Sequence, residues 1–114
     1  MEENDLLLSV ALHDQEAFSL CLALGTLQAI RSGAWPVEAG IWTIARPVFR
    51  SPLEHLGIPN DVMKVFRHAD ELSALLELAG RETVDRKLDE WIAVLLARLA
   101  DLQGQGWYAR WRTE

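Results

Sequence analysis

The stretch from Gln15 to Gly33, QEAFSLCLALGTLQAIRSG, is apolar on nearly every side of a helix. A helix without a polar face cannot be covered by one neighbour, so several other elements must enclose it. Its charge-free run, Ala17 to Ile30, has 14 residues. A membrane span needs about 20 mostly apolar residues, so this run is interpreted as a core helix. The segment predicts a mostly α-helical domain wrapped around one central helix.

Capping residues and prolines mark the limits of the first two predicted helices. Asp14 is a suitable N-cap for the central helix, and Gly33 is a suitable C′ residue at its other end. Pro36 favours the first turn of a second helix, VEAGIWTIAR. Pro47 is expected to end that helix, because the residue before a proline is pushed away from helical angles.

The second half of the chain contains the clearest helical patterns. Ser51-Pro52-Leu53-Glu54 combines a capping box with a proline at N1, which predicts a short helix closed by Gly57. Asn60 can cap a helix that continues to Ala79 and stops at Gly80. From Glu82 to Leu102 the apolar residues step by four and three, as on one face of a helix. The prediction is a compact bundle of about four helices plus a short one, forming a single helical domain over residues 1–114.

The two end segments resist a helical interpretation. Residues 6–12, LLLSVAL, are as compatible with a strand as with a helical turn. In the tail, Trp107, Ala109 and Trp111 would share one face of a strand. We therefore expect that the termini can pair as a small antiparallel ribbon.

Charge and cysteine content narrow the classes of function. The chain has 17 acidic and 11 basic side chains, a net charge of −6. This net negative charge argues against binding to nucleic acid and would attract a basic protein partner. The solubility of the protein is another explanation of the same charge. The one cysteine, Cys21, lies among leucines and is predicted to be buried and inert, as in a reducing compartment. The first 30 residues contain no Lys or Arg, so a secretory signal is not expected, and a cytoplasmic location without membrane contact is predicted.

Two groups of residues are candidates for binding a partner. Acidic residues predominate from Asp70 to Glu90, so two consecutive helices can present one acidic flank, although a solvated helix face is the commoner explanation. The second group is the aromatic tail, in which Trp and Tyr are interleaved with Arg, the residue types that dominate binding hot spots. The alternative is that this tail folds back over the core. The candidate residues are Glu82, Asp85, Asp89, Glu90, Trp107 and Trp111.

The only candidate for metal or acid–base chemistry is the pair His68 and Glu71, which share one helix edge at a spacing of three. A metal site needs three or four ligands, and Arg67 can explain Glu71 as an i, i+4 partner. The sequence contains no GxGxxG, GxxxxGK[ST], HExxH or GxSxG motif. No cofactor is predicted.

The run LALGTLQAIRSG, residues 22–33, followed by Pro36 and Glu38, resembles a family of small uncharacterised bacterial helical proteins. In that family a leucine-rich helix ending in Gly leads into a second helix marked by Pro or Glu. The resemblance implies the fold and carries over no catalytic residue.

The predicted function is therefore a non-enzymatic protein-binding module, for example an immunity or antitoxin-like protein whose acidic surface occludes a basic toxin. One alternative is a small metal- or ligand-dependent enzyme using His68 and Glu71. Another is a homodimeric structural protein in which the helix over residues 84–102 pairs across a two-fold axis.

Overall fold

The computed structural model describes residues 4–109 and 112–113. Helices dominate this part of the chain, which confirms the predicted mostly α-helical fold. The α-helices are α1 (Gln15–Arg31), α2 (Ala39–Trp42), α3 (Pro47–Arg50), α4 (Asn60–His68), α5 (Leu72–Ala79) and α6 (Arg81–Asp101), and the strands are β1 (Leu8–Ser9) and β2 (Arg112–Thr113). Short 3-10 turns cover Leu12–Asp14, Pro52–His55, Ala69–Glu71, Gln103–Gln105 and Trp107–Ala109.

Helix α1 lies at the centre of the core, as its sequence predicts. It packs chiefly against α6 and also against α2. Leu20, Leu27 and Ile30 are fully buried. Its polar Thr26 is also buried, and the hydroxyl donates a hydrogen bond to the carbonyl of Leu22 at 3.0 Å, so the helix tolerates enclosure on most sides.

The long helix α6 forms the second wall of the core. Its buried stripe has the predicted spacing of four and three residues: Val84, Leu88, Trp91 and Leu95. The turn from α5 occurs at Gly80, whose φ of +84° favours glycine. The predicted start at Glu82 is therefore one residue later than the observed start at Arg81.

The predicted second helix after Pro36 is reduced to the single turn α2. Thr43 leaves helical geometry (φ −118°, ψ −90°), and its hydroxyl donates to the carbonyl of Ala39 at 2.7 Å. Gly40 approaches α5 closely, because a Cβ there would lie 3.5 Å from Leu72 Cδ1. Packing against α5 therefore determines the backbone of this segment more than its helical sequence pattern does. The expectation that Pro47 ends a helix is wrong, because Pro47 begins α3.

The predicted caps also differ from the structure. In the described part of the chain, Asp14, Ser51 and Asn60 do not provide side-chain caps. Asp14 instead ends a 3-10 turn and is buried, with its carboxylate 3.6 Å from His13 Nε2. The sequence predicts Asn60 as the N-cap of α4, but Pro59 holds that position and Asn60 is the first residue of the helix. The predicted helix from Asn60 to Ala79 is two helices separated by a 3-10 turn.

The ends of the chain lie side by side. Strand β1 pairs antiparallel with β2, with Leu8 opposite Thr113 and Ser9 opposite Arg112. Each strand has two residues, so the pairing is shorter than the predicted ribbon. Trp107 to Ala109 form a 3-10 turn, so the expected strand alternation over the tail is wrong there.

Glu54 attaches the turn Pro52–His55 to α4. The predicted capping box of Ser51 and Glu54 does not form. The guanidinium of Arg67 donates to both Glu54 carboxylate oxygens, at 2.6 and 3.2 Å. Arg67 therefore pairs with Glu54 of the preceding turn and not, as the sequence suggests, with Glu71, which lies beyond the end of α4. The hydrogen bonds from Arg67 lower the pKa of Glu54 below its ordinary value.

This lowered pKa predicts a pH-dependent contribution to stability from Glu54. A carboxyl whose pKa is depressed in the folded state stabilises the fold above its unfolded pKa, and the contribution is lost as pH falls through the folded pKa. The urea midpoint of Glu54→Gln should be lower than that of the wild type near neutral pH and approach it as pH falls below about 4.3, the ordinary pKa of a glutamate, and through the lower folded pKa. A constant difference over that range would contradict the pairing.

Candidate binding groove along the last helix

One face of α6 lies open beside α4 and α5 and forms a continuous groove. A cavity of about 360 Å³ and a neighbouring cavity of about 460 Å³ share His68, Glu71, Lys87 and Trp91. A third cavity of about 410 Å³ continues along α6 and shares Asp61 and Val94 with the second. We call this surface the α6 groove; it is lined by residues between Pro59 and Leu78 on one side and between Lys87 and Asp101 on the other.

The first cavity of the α6 groove is mainly apolar. Leu72, Leu75 and Leu78 line it together with one edge of Trp91. Leu78 is 87% exposed, an unusual position for a leucine on a short helix, whereas Trp91 is 6% exposed and belongs to the core. The ammonium of Lys87 lies 5.7 Å from the centroid of the Trp91 ring, within the range of a cation–π interaction.

The middle of the α6 groove is polar, and two of its ion pairs are short contacts between neighbouring residues. His68 Nδ1 lies 3.1 Å from Glu71 Oε1, and Lys87 Nζ lies 3.7 Å from Glu90 Oε1. The exposure of these side chains, from 42% to 68%, allows both pairs to rearrange at little cost. A ligand in the groove can therefore compete for the charged groups.

The far end of the α6 groove has a small-residue floor and an acidic margin. Ala93, Val94 and Ala97 line the third cavity together with Asp61 and Asp101. Arg98 also reaches this end, but its guanidinium is bound by Glu16 of α1. Taken together, the described residues lining the three cavities include four carboxylates and two lysines. Because Glu16 neutralises Arg98, the groove carries an excess of negative charge.

The structure divides the four predicted acidic site residues into two pairs. Asp85 and Asp89 face the end of α1, where Arg31 contacts both: Nη1 lies 3.3 Å from Asp85 Oδ2, and Nε lies 2.9 Å from Asp89 Oδ1. The hydrogen bond to Asp89 and the nearby carboxylate of Asp85 raise the pKa of Arg31. These two carboxylates thus attach α6 to α1.

Arg81 completes this attachment from the first turn of α6. Its Nε donates to Asp85 at 2.8 Å, and its Nη2 donates to the backbone carbonyl of Ile30 at 2.5 Å. The carbonyl of Ile30 also accepts the backbone N–H of Gly33 at 3.1 Å, so Arg81 adds a second donor at the end of α1. Asp85 therefore lies between two arginines, with 24% of its side chain exposed.

The second pair, Glu82 and Glu90, is exposed to solvent. Glu90 lines the α6 groove, whereas Glu82 lies outside its lining. The predicted acidic flank is thus present at these two positions, while Asp85 and Asp89 are occupied by arginines. Sequence reasoning placed all four on one helix and could not identify Arg31 as the partner of two of them.

The two tryptophan side chains of the predicted aromatic site lie outside the described part of the structure. Trp111 lies outside the described residues, and only the backbone of Trp107 is described. Two other tryptophans are exposed: Trp42 (67%) and Trp35 (47%). The position of Trp42 beside the apolar residues Val37, Ile41 and Ile44 is consistent with its exposure.

The residues considered for chemistry are the pair His68 and Glu71 and the thiol of Cys21. His68 and Glu71 are in contact, as their spacing predicts. Within the described part of the chain no group of three or more His, Cys, Asp or Glu residues could hold a metal ion. Cys21 is half-buried, so the prediction of a buried thiol is wrong, but its partial burial raises the pKa of the thiol. A raised thiol pKa lowers nucleophilicity at neutral pH.

No protein-family model matches this chain, and no curated protein or solved structure is significantly similar to it. The resemblance of residues 22–33 to small bacterial helical proteins therefore stays a prediction. Among the described helices, none combines the length and apolar character needed to cross a bilayer.

Proposed function

We propose that this protein is a non-catalytic binding module for a protein partner with a basic surface. The observation that carries the proposal is the α6 groove, which has apolar walls and four carboxylates on one open face. Its cations among the described lining residues are two lysines and Arg98, and Arg98 is already paired with Glu16. Hydrophobic groups at the centre of an interface contribute most of the affinity, and charges at its margin set specificity and association rate.

The overall charge of the chain supports the same partner. A net charge of −6 attracts a basic protein over several ångströms and accelerates the encounter. In its most concrete form the proposal is an immunity or antitoxin-like protein of the cytoplasm that occludes the basic region of a toxin.

The proposal assigns different roles to the acidic residues of α6. Glu90 is the contact residue within the α6 groove, and Glu82 is an exposed carboxylate outside its lining that adds to the attractive field. Asp85 and Asp89 hold the helix in place through Arg31. Reversing all four charges together would mix loss of binding with loss of stability, so a sharper test changes Glu82 and Glu90 alone.

The test begins with the tagged protein in lysate of its native host, at low and high salt, to identify a stoichiometric basic partner by mass spectrometry. With the purified partner, Glu90→Lys should raise Kd roughly tenfold at low salt, and Glu82→Lys should raise it less because Glu82 lies outside the groove lining. Both effects should shrink at high salt because ions screen the attraction. Glu38→Lys is the matched control: it makes the same charge change at an exposed residue outside the groove lining.

Three results would contradict the proposal. Equal effects of Glu82→Lys, Glu90→Lys and Glu38→Lys would mean that the affinity depends only on the net charge of the protein. A protein that captures no partner and sediments as a concentration-dependent dimer would favour the homodimer. Activity lost in His68→Ala with the fold retained would favour the enzyme.

A further inference from the structure

This inference rests on the proposed function and concerns the form of the partner. We propose that the α6 groove accepts one amphipathic helix of the partner, with two apolar anchors and basic residues between them.

The length of the α6 groove fits a helix of about four turns. Its lining on α6 extends from Lys87 to Asp101. At 1.5 Å per residue this separation is about 21 Å, the length of about 14 helical residues. The walls are helices α4, α5 and α6, so the groove presents no strand edge for pairing with an extended peptide. Recognition must therefore use side chains, as in helix-in-groove docking.

The order of apolar and polar cavities defines where the anchors lie. The apolar cavity around Leu75 and Trp91 is at one end, and the cavity floored by Val94 and Ala97 is at the other. Six residues of α6 separate Trp91 from Ala97, about 9 Å along the axis. Two anchors about two turns apart, at i and i+7, match this separation.

The polar cavity between the anchor sites decides the charge of the occupant. It contains Asp61, Glu71 and Glu90, with Lys64 and Lys87 on the same surface. Glu71 and Glu90 are paired only with exposed neighbours, so an incoming Lys or Arg can contact them without breaking a buried bond. Asp101 adds a further carboxylate at the far end. A basic segment is therefore favoured over an acidic one.

The small side chains on the floor allow a close approach of the partner backbone. Ala93 and Ala97 are exposed on α6, one turn apart, where a longer side chain would fill the groove. This position supplies a test that leaves the core intact. Ala100 is exposed on the same helix but lies outside the groove lining, so it offers a matched control.

The experiment uses alanine-based helical peptides about four turns long, with binding followed by fluorescence anisotropy of a label on the peptide. The first has leucines at i and i+7 with lysines between them, the second replaces the lysines by glutamates, and the third moves one leucine to i+5. The first peptide should bind at least about tenfold more tightly than the other two. Ala97→Arg should weaken it about tenfold, whereas Ala100→Arg, with the same added charge, should change Kd less than twofold.

Circular dichroism of both variants verifies that the fold is retained. Equal binding of the lysine and glutamate peptides, or tighter binding of the glutamate peptide, would overturn the inference; the latter would assign the groove to an anionic ligand held by Lys64 and Lys87. Equal effects of Ala97→Arg and Ala100→Arg would also overturn it. If the natural partner still responds to Glu82→Lys and Glu90→Lys in those cases, the proposed function stands without the helix.

Discussion

Leu27→Ala is expected to lower the free energy of unfolding by about 2–5 kcal/mol. Leu27 is fully buried in α1, the helix that the rest of the core surrounds. Truncation removes apolar contacts and leaves a cavity that the neighbouring helices can only partly fill. Since a domain of this kind is stable by only about 5–15 kcal/mol, the loss is a large fraction of the total. Urea denaturation followed by circular dichroism measures it.

Leu78→Ala is the matched control for this substitution. The same atoms are removed, but Leu78 is 87% exposed, so the free energy of unfolding should change by less than about 0.5 kcal/mol. Similar losses for the two variants would mean that α1 is not the centre of the core.

The second large effect is expected at the ion pair between α1 and α6. Arg98 donates two hydrogen bonds to Glu16, at 2.5 and 2.9 Å, with 25% and 13% of the two side chains exposed. The hydrogen bonds to Glu16 are the main cause of the raised pKa of Arg98, to which Asp101 and Asp61 add. Arg98→Gln removes the charge while Glu16 stays mostly enclosed, so the free energy of unfolding should fall by about 2 kcal/mol.

A double-mutant cycle with Glu16→Gln isolates the interaction. The double variant should lose less than the sum of the single variants, with a coupling of about 1–2 kcal/mol. The pair Lys87 and Glu90, which is 42% and 64% exposed, serves as the comparison and should show a coupling well below 1 kcal/mol. Equal couplings would reduce the Arg98–Glu16 contact to an ordinary surface ion pair.

The helices that the sequence predicts best are those whose signals are local. The limits of α1 follow from its apolar run and from Gly33, which has a φ of +85°. The period of α6 follows from its stripe of apolar residues, and the stop at Gly80 is correct. Such signals depend on neighbours three or four residues away, which the sequence displays directly.

The elements that the sequence predicts poorly are those decided by distant contacts. The segment after Pro36 has a helical pattern, yet Gly40 fits against Leu72, which is 32 positions along the chain. The apolar stripe after Asn60 is continuous in sequence, but the chain passes through a 3-10 turn at Ala69–Glu71. The residues next to Gly40 do not predict the approach of α5, and the residues next to Ala69–Glu71 do not predict the 3-10 turn.

The candidate site shows the same division. Periodicity places Glu82, Asp85, Asp89 and Glu90 on one helix, but only the fold brings Arg31 to Asp85 and Asp89. The α6 groove was missed because its lining comes from three helices. Its one signal in the sequence is the exposed apolar set on α6, including Ala93 and Ala97, which lies off the main stripe.

The pairing of α1 with α6 also determines when this chain can fold during translation. Contacts between these helices join residues 51 and 82 positions apart. About 70 residues separate the end of α1 from the end of α6, so at ordinary elongation rates of about 5–20 residues per second their synthesis takes roughly 4–14 s. Throughout that interval the helix at the centre of the core lacks its cover by α6. Codon usage over residues 32–101 should therefore influence how much of the protein is recovered in folded form.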